Sequence, residues 1–386
     1  MLISELLGAL SKTFPLSSAG YEKDAVGLQI GYDNGVKLTK ALIAYEVTDE
    51  VATEAIDIGA NLIIAYHPLI FPSVSAITDT TRTGALTRLL IKKNIALYVL
   101  HTAFDAHSEL GTSALMASAL GLVNCKALAP LDSRLEKIIV FVPTADAAKV
   151  QEAMWAAGAG HIGNYDEASF SVEGTGTFRG NEKANPAIGA KLVRENVAES
   201  RIEMIVEKWT SAAVIRAMMQ AHPYEEVAYD RYPLSNEHPT YGMGTIGELP
   251  NEMSVKNFLD LTASTFTTPV LRYNEVSRAL ISRIALVGGA GMDYYSAALR
   301  AGADAFITSD IRYHDFYKAK HDGLLLVDAG HAETERFVRR GMYNAVNGVY
   351  KSVDLHREIG DSFVVESRTE PNAVQYYLYD RKPENL

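Results

Sequence analysis

The sequence predicts an α/β fold in which two related α/β halves form one parent domain, with a ferredoxin-like α+β domain inserted between them. Three observations predict it. Residues 40–101 alternate short apolar runs with amphipathic stretches, the βαβ pattern of a mainly parallel sheet. Residues 283–346 repeat that plan. The segments AIDIGANLIIAYH (55–67) and ALRAGADAFITSD (298–310) align without a gap, share a Gly-Ala pair and each close on a polar residue.

The elements follow in order. MLISELLGALSKTF reads as an amphipathic helix and not a signal peptide, because it lacks a basic leader and Glu5 interrupts its apolar stretch. KALIAYE (40–46) is predicted as a strand, 48–58 as a helix, NLIIAYH (61–67) as a strand, GALTRLLIKKN as a helix and IALYVLH (95–101) as a third strand. In the last third, RIALVG (283–288), ADAFITSD (303–310) and GLLLVDAG (323–330) are strands. Helices are expected at 292–301, up to about 320 and over HAETERFVRRGMYNAV. Between the halves, KIIVFVP (137–143), RIEMIVE (201–207) and EVAYDRYPL read as strands, and ADAAKVQEAMWAAGA and WTSAAVIRAMMQA as helices. NYDEASFSVEGTGTFRG (164–180) reads as a hairpin. Two β-α-β passes in this short span predict the ferredoxin-like module. Turn residues in APLDS and YGMGTIGELP flank it. The parent domain is therefore expected at 1–130 together with 245–386, and the insert at 131–244.

Bulk properties narrow the function. Of 386 residues, 48% are hydrophobic and 22% charged, a globular balance. No apolar run reaches the ~18–20 residues needed to span a bilayer, so no membrane segment is expected. The lone cysteine, Cys125, cannot form an intrachain disulfide and fits a reducing compartment; the expected location is cytoplasmic. Any multidentate metal site must then use histidines and carboxylates, which suit zinc or iron. A net charge of −11 without a basic run argues against general nucleic-acid binding.

The chemistry-bearing residues sit at or just beyond predicted strand ends, where ligands bind in open α/β sheets. They occur in NLIIAYHPLIF, IALYVLHTAFDAH, AFITSDIRYHD and LLLVDAGHAETE. His331 and Glu335, at i and i+4, share one helical face and can chelate a metal, although the same spacing also suits a capping or surface pair. His67 and Asp105 follow other strands and can converge on that pair. Two imidazoles and two carboxylates suit one divalent ion or two, a bridging carboxylate holding a pair ~3.5–4 Å apart. His101, Asp310 and His314 are candidates for acid–base chemistry or for orienting ligands and substrate. Asp328 reads as a buttress of the His331 helix. GGAGM (288–292) can approach a phosphate through backbone N–H groups or simply form a tight turn; it lacks the full dinucleotide fingerprint. His222 and Glu225 belong to the insert, where His222 reads as structural or ligand-contacting.

GLQIG (27–31), YHPLIF, HTAFDAH, SDIRYHD (309–315) and DAGHAETE (328–335) together resemble the signatures of the NGG-interacting-factor-three-like family, the GTP cyclohydrolase I type 2 homologs. AHPYEEVAYDRYPL (221–234) is similar to the PII-like or CutA-like module inserted in longer members. The resemblance runs in order over essentially the whole chain. It implies a dinuclear zinc or iron centre between two related halves, and a toroidal homohexamer. By motif, His67 answers to the histidine before the proline of the HHP-type sequence and Asp105 to the aspartate of HTxxD. His331 and Glu335 answer to the closing GHxxxE, whose glutamate bridges. One position departs: many members carry histidine where this chain has Tyr66. Neutral tyrosine, with a pKa near ~10, is a poor ligand. One subsite is therefore expected to be weakened, or completed only by substrate or a tyrosinate.

The function expected is a metal-dependent hydrolase of a small-molecule substrate, a nucleotide or phosphoester. The GTP activity comes from the family resemblance alone; no residue pattern identifies a guanine pocket. The alternative is a non-catalytic, metal-dependent binding or regulatory protein. An open coordination position favours the first and a closed one the second.

Overall fold

Short runs of small and branched apolar residues build an α/β fold with several sheets. The computed structural model describes residues 1–18, 24–31, 35–353, 363–369 and 372–377. The chain divides into two compact units, Met1–Ala129 with Thr240–Leu386, and Pro130–Pro239.

In the first unit, the strands Ala41–Ala44, Leu62–Ala65 and Ala96–Val99 are buried at every position. A strand buried on both faces belongs in a parallel sheet covered by helices. The five-stranded sheet runs Gly27–Ile30, Ala96–Val99, Leu62–Ala65, Ala41–Ala44, Val364–Glu366. Only Gly27–Ile30 is antiparallel to its neighbour. Alternate residues feed two cores. Ile43, Ile64 and Tyr98 meet Leu6 and Leu10 of the helix Ile3–Thr13, and Met342 and Val346 of the helix Val338–Val353. Leu42, Ile63 and Leu97 meet Val51 and Ala55 of Asp49–Asp57, and Leu86 and Leu90 of Arg82–Lys92. Thr48 and Thr81 start these last two helices by accepting from the backbone N–H of Val51 (3.2 Å) and Gly84 (3.1 Å).

A six-stranded sheet completes this unit, in the order Arg272–Tyr273, Leu325–Asp328, Ala305–Thr308, Leu280–Leu286, Gly242–Ser254, Val123–Pro130. Ala305–Thr308 is parallel to both neighbours. The Gly-Ala pairs noted in the sequence end their helices alike. Gly59 and Gly302 take φ of +70° and +69°, and the next residues return N–H bonds from Ala60 to the Ala55 carbonyl (2.8 Å) and from Ala303 to the Ala298 carbonyl (3.1 Å). Ala41 pairs with Leu62 and Ile284 with Ala305, at the same separation along the chain.

Three expectations are corrected in this unit. The helix expected over 331–346 is two helices, His331–Thr334 and Val338–Val353. The break turns Glu335 inward while Val338, Met342 and Val346 face the first sheet's core. YGMGTIGELP, read as turn residues, lies largely in the strand Gly242–Ser254, because Met243, Ile246 and Leu249 are buried and the sheet overrides the local glycines. The helix of 292–301 opens with a 3₁₀ turn at Met292–Tyr294 before Tyr295–Arg300.

The second unit is a four-stranded antiparallel sheet ordered Phe170–Arg179, Arg194–Glu207, Leu135–Pro143, Tyr229–Leu234. Its helices are Ala147–Ala156 and Ser211–Ala221. Ile138, Val140, Val142, Ile202, Met204 and Val206 form its core with Val150, Met154, Val214 and Met218 from those helices. The hairpin expected within 164–180 is absent there: Phe170–Arg179 is one strand paired along its whole length with Arg194–Glu207, and the turn lies beyond Arg179. Glu136 is buried near the start of the inner strand Leu135–Pro143. Its carboxylate accepts from the Ser211 hydroxyl (2.8 Å) and from Arg231 Nε (3.1 Å) and Nη2 (2.7 Å). Among the described residues, no helix is long and apolar enough to cross a membrane.

Burial raises the Glu136 pKa, but its bonds to Arg231 and Ser211 outweigh that and hold it below the ordinary 4.5. The group therefore stabilises the fold above about pH 4.5, and that contribution is lost as pH falls through its folded pKa. Glu136→Gln should cost about 1–2 kcal/mol at neutral pH, the half-exposed Arg231 reducing the value, and should flatten the acid side of the stability profile. Urea unfolding from pH 3 to 7 checks this; an unchanged acid limb would contradict it.

Candidate metal centre

The strands deliver polar residues to one end of the first unit. Tyr45 and Glu46 follow Ala41–Ala44, Tyr66 and His67 follow Leu62–Ala65, and His101 follows Ala96–Val99 by two residues. Asp310 follows Ala305–Thr308 at the same remove. His101 and Asp310 both have positive φ, +33° and +55°, which costs a non-glycine residue on the order of 1 kcal/mol.

Glu335 is the focus. It is 3% exposed. Its Oε2 lies 3.3 Å from His331 Nε2 and 3.6 Å from His67 Nε2. The Tyr45 hydroxyl donates to that oxygen at 2.6 Å. His67, His331 and Glu335 each offer a ligand atom within 4.8 Å of the others, and they form the candidate metal-binding cluster among the described residues. The spacing that suggested a shared helical face works here through a single turn, closed by the Glu335 N–H to the His331 carbonyl (3.2 Å).

His67, His101 and His331 share one arrangement. Each places Nδ1 on a carboxylate: His67 on Glu46 (3.2 Å), His101 on Asp24 (2.8 Å) and His331 on Asp310 (2.6 Å). An ionised carboxylate only accepts, so Nδ1 carries the proton and a neutral ring keeps its lone pair on Nε2. Metal-ligating histidines are oriented in this way.

The charges follow from the burial. Desolvation raises the Glu335 pKa, but His331, His67 and the Tyr45 bond outweigh it and lower it. The Glu335 bond, opposed by burial and helped by Asp310, raises His331 to about 9. Burial pulls His101 down, while Asp24, Asp105 and Glu335 raise it on balance. A proton thus sits where the chemistry of the donor set suits a cation.

Asp105 lies beside this cluster. Its carboxylate accepts from the Tyr66 hydroxyl at 2.9 Å and 3.0 Å, and from the Thr112 hydroxyl. Burial raises its pKa to about 6, against the opposing pull of His101 and Thr112. Tyr66 is fully buried and its hydroxyl also approaches Glu335 Oε1 at 3.4 Å. Burial, then the charges of Asp105 and Glu335, hold the phenol far above its ordinary pKa. Tyr66 is thus a neutral phenol whose hydroxyl donates to Asp105.

With this geometry in place, comparison with known proteins identifies the chain's relatives. Residues 1–361 match the family described as Duf34/NIF3 (NGG1p interacting factor 3). The chain belongs to this family. A GTP cyclohydrolase 1 type 2 homolog of Halalkalibacterium halodurans is 40% identical over 348 residues, 90% of this chain and 93% of that protein. Its counterpart in Bacillus subtilis is 35% identical over 363 residues, 94% and 96% of the two chains. The crystal structure of a Bacillus cereus protein related to NIF3 superposes with a TM-score of 0.83 at 36% identity, covering 98% of this chain and 99% of that one. The Duf34/NIF3 relationship therefore extends over both compact units.

Other candidates find different places. Asp310 anchors His331. His314 is exposed on the helix Tyr313–Asp322 with its ring against Tyr313, and none of the cluster's bonds reaches it. Asp328 accepts from the Gly330 N–H (3.2 Å) and pairs with Arg272 (3.0 Å), so it steadies the segment before His331. His222 is buried: its Nδ1 accepts from the Tyr224 N–H (3.0 Å), and its Nε2 donates to the Phe141 carbonyl (2.9 Å). Both nitrogens are satisfied structurally. Glu225 accepts from the Asn185 N–H (2.7 Å). Tyr45, Glu46, Asp24 and Thr112 went unnoticed in the sequence. Tyr45 and Glu46 end the strand KALIAYE and carry the same strand-exit signal as His67.

GGAGM is a turn fitted around the cluster. Gly289 has φ +62°, and a Cβ there would lie 2.4 Å from Glu335 Oε1 and 3.2 Å from His331 Nε2. Gly289→Ala should displace the carboxylate and lower metal affinity by about 10–100-fold, the usual scale for disturbing a ligand's support. A chelator-competition titration with zinc measures it; wild-type affinity in this variant would contradict the placement of Glu335.

Proposed function

We propose that the chain is a metal-dependent hydrolase of a nucleotide or phosphoester. One observation carries the reading: a buried carboxylate, Glu335, faces the Nε2 atoms of two imidazoles whose Nδ1 atoms are each held by another carboxylate. A donor set of this kind suits a cation, whose charge offsets the cost of burying the carboxylate. In this reading His67, His331 and Glu335 hold one ion tightly. His101 and Asp105 border a second, weaker position, where the Tyr66 phenol stands in place of a ligand. The imidazole and carboxylate donors suit zinc or iron.

A divalent ion bound there would supply Lewis acidity, lowering the pKa of a water and polarising a phosphoryl or carbonyl group. The protein's own residues have separate tasks. Tyr45 fixes the Glu335 carboxylate. Asp24 keeps the His101 proton on Nδ1, so His101 Nε2 can accept or return a proton at the centre. Tyr66 and Thr112 hold Asp105 in one orientation.

The alternative, a non-catalytic metal-dependent regulator, has one observation in its favour. The unit Pro130–Pro239 carries its own cleft of about 270 Å³, walled by Phe178, Tyr224 and Glu199. Its strand order supports reading it as an inserted ferredoxin-like, PII- or CutA-like module, and the exposed cleft would be its ligand site. A cytoplasmic hexameric ring and two related halves within the parent unit belong to the same proposal. The shared Gly-Ala helix ends and strand separations support the halves.

Metal per chain, measured on protein purified without added metal, should be at least one ion for wild type and fall sharply for Glu335→Gln. Hydrolysis of nucleotides or phosphoesters should require the metal and disappear in that variant. Metal-loaded protein that turns over neither class would favour the regulatory reading. Tyr66→His should raise the stoichiometry toward two; no second ion in that variant would contradict the role given to Tyr66.

A further inference from the structure

A cavity of about 280 Å³ adjoins the cluster, lined by Tyr45, Glu335, Glu333, Thr267, Arg336 and Arg339 among others. Tyr45 and Glu335 belong to both places. The Tyr45 hydroxyl on Glu335 Oε2 makes that phenol a wall shared by cavity and cluster.

The two arginines differ. Arg339 is committed: its Nε pairs with Glu366 at 3.2 Å and its Nη1 donates to the Thr369 carbonyl at 3.1 Å. Arg336 is exposed, donates one Nη1 bond to the Phe266 carbonyl (2.9 Å) and lies over the Phe337 ring. Among the described residues it makes no ion pair with a carboxylate. A guanidinium has five N–H donors, so most of this fork is available. The opposing charges are Glu335, which faces the cluster, and Glu333, whose carboxylate accepts from Asn372 Nδ2 at 3.2 Å. A cation held by the cluster would turn this balance positive.

We infer that this cavity seats the phosphate group of the substrate on the Arg336 guanidinium, with its reacting side turned past Tyr45 toward the cluster. The inference rests on the hydrolase reading above and gives it a substrate class, a phosphoester. A guanidinium fork matches phosphate oxygens two at a time. Thr267 also lines the cavity and brings a hydroxyl to the donors available to a tetrahedral oxyanion. The volume leaves room for a small organic portion of the ester.

The test is calorimetric titration of inorganic phosphate into the metal-loaded full chain, with metal content measured on the same samples. Wild type should bind phosphate. Arg336→Gln should bind it about 10–100-fold more weakly at unchanged metal content. Arg336→Lys, which keeps the charge but not the fork, should lose less than Arg336→Gln. Wild-type phosphate affinity in a metal-loaded Arg336→Gln protein overturns the inference, as does acetate binding wild type as tightly as phosphate. If Arg336→Gln sheds metal or melts early, Arg336→Lys decides: weakened phosphate binding supports the inference and unchanged binding overturns it. A wild-type protein that takes up no ion contradicts the metal reading and the inference together, whereas a loaded protein indifferent to Arg336 contradicts the phosphate seat alone.

Discussion

A buried carboxylate needs positive charge or donors around it, and the arrangement of this protein's first unit answers to that need at Glu335. Removing such a group from water costs several kcal/mol unless partners replace the solvent. Here the partners come from separate elements: Tyr45 from the end of one strand, His67 and Tyr66 from the end of its parallel neighbour, and His331 from the turn that carries Glu335 itself. The helix break at 335–337, the left-handed Gly289 and the strained backbone at His101 and Asp310 all lie around this point. Each is locally unfavourable or unusual, and all converge on one small region. Backbone strain such as that at His101 and Asp310 gathers at preorganised sites.

The same constraint explains the outer ring of carboxylates. Glu46, Asp24 and Asp310 each fix a histidine tautomer, so the imidazoles present lone pairs and not protons when neutral. Arg82 in turn pairs with Glu46 at 3.1 Å, tying the arrangement to the start of the helix Arg82–Lys92. Tyr66 works in the opposite sense. A histidine there would offer another lone pair, whereas the phenol offers its one proton to Asp105. That bond gives the buried Asp105 carboxylate a partner within the protein itself.

Much of this was legible in the sequence, for reasons that can be stated. The strands NLIIAYH and ADAFITSD announce themselves through apolar runs that follow Gly-Ala turns and close on a polar residue, and their buried two-sided packing follows from their composition. His67, His331 and Glu335 were found because strand exits and i, i+4 spacing are local signals. The anchors were not, because which carboxylate meets which histidine depends on distant segments: Asp24 meets His101 across 77 residues and Tyr45 meets Glu335 across 290. The broken helix was hidden because HAETERFVRRGMYNAV keeps good helical composition, and only the inward turn of Glu335 interrupts it. The false hairpin in 164–180 shows the converse: glycines mark turns locally, but ten residues of uninterrupted pairing outweigh them.

The central claim is that His67, His331 and Glu335 form a cation site. Anomalous diffraction from crystals grown with zinc, recorded on both sides of the zinc absorption edge, tests it most directly. The account predicts a peak bonded to His67 Nε2, His331 Nε2 and a Glu335 oxygen, at ligand distances of about 2.0–2.2 Å. A loaded crystal with no peak there, or with its only peak elsewhere on the chain, would contradict it.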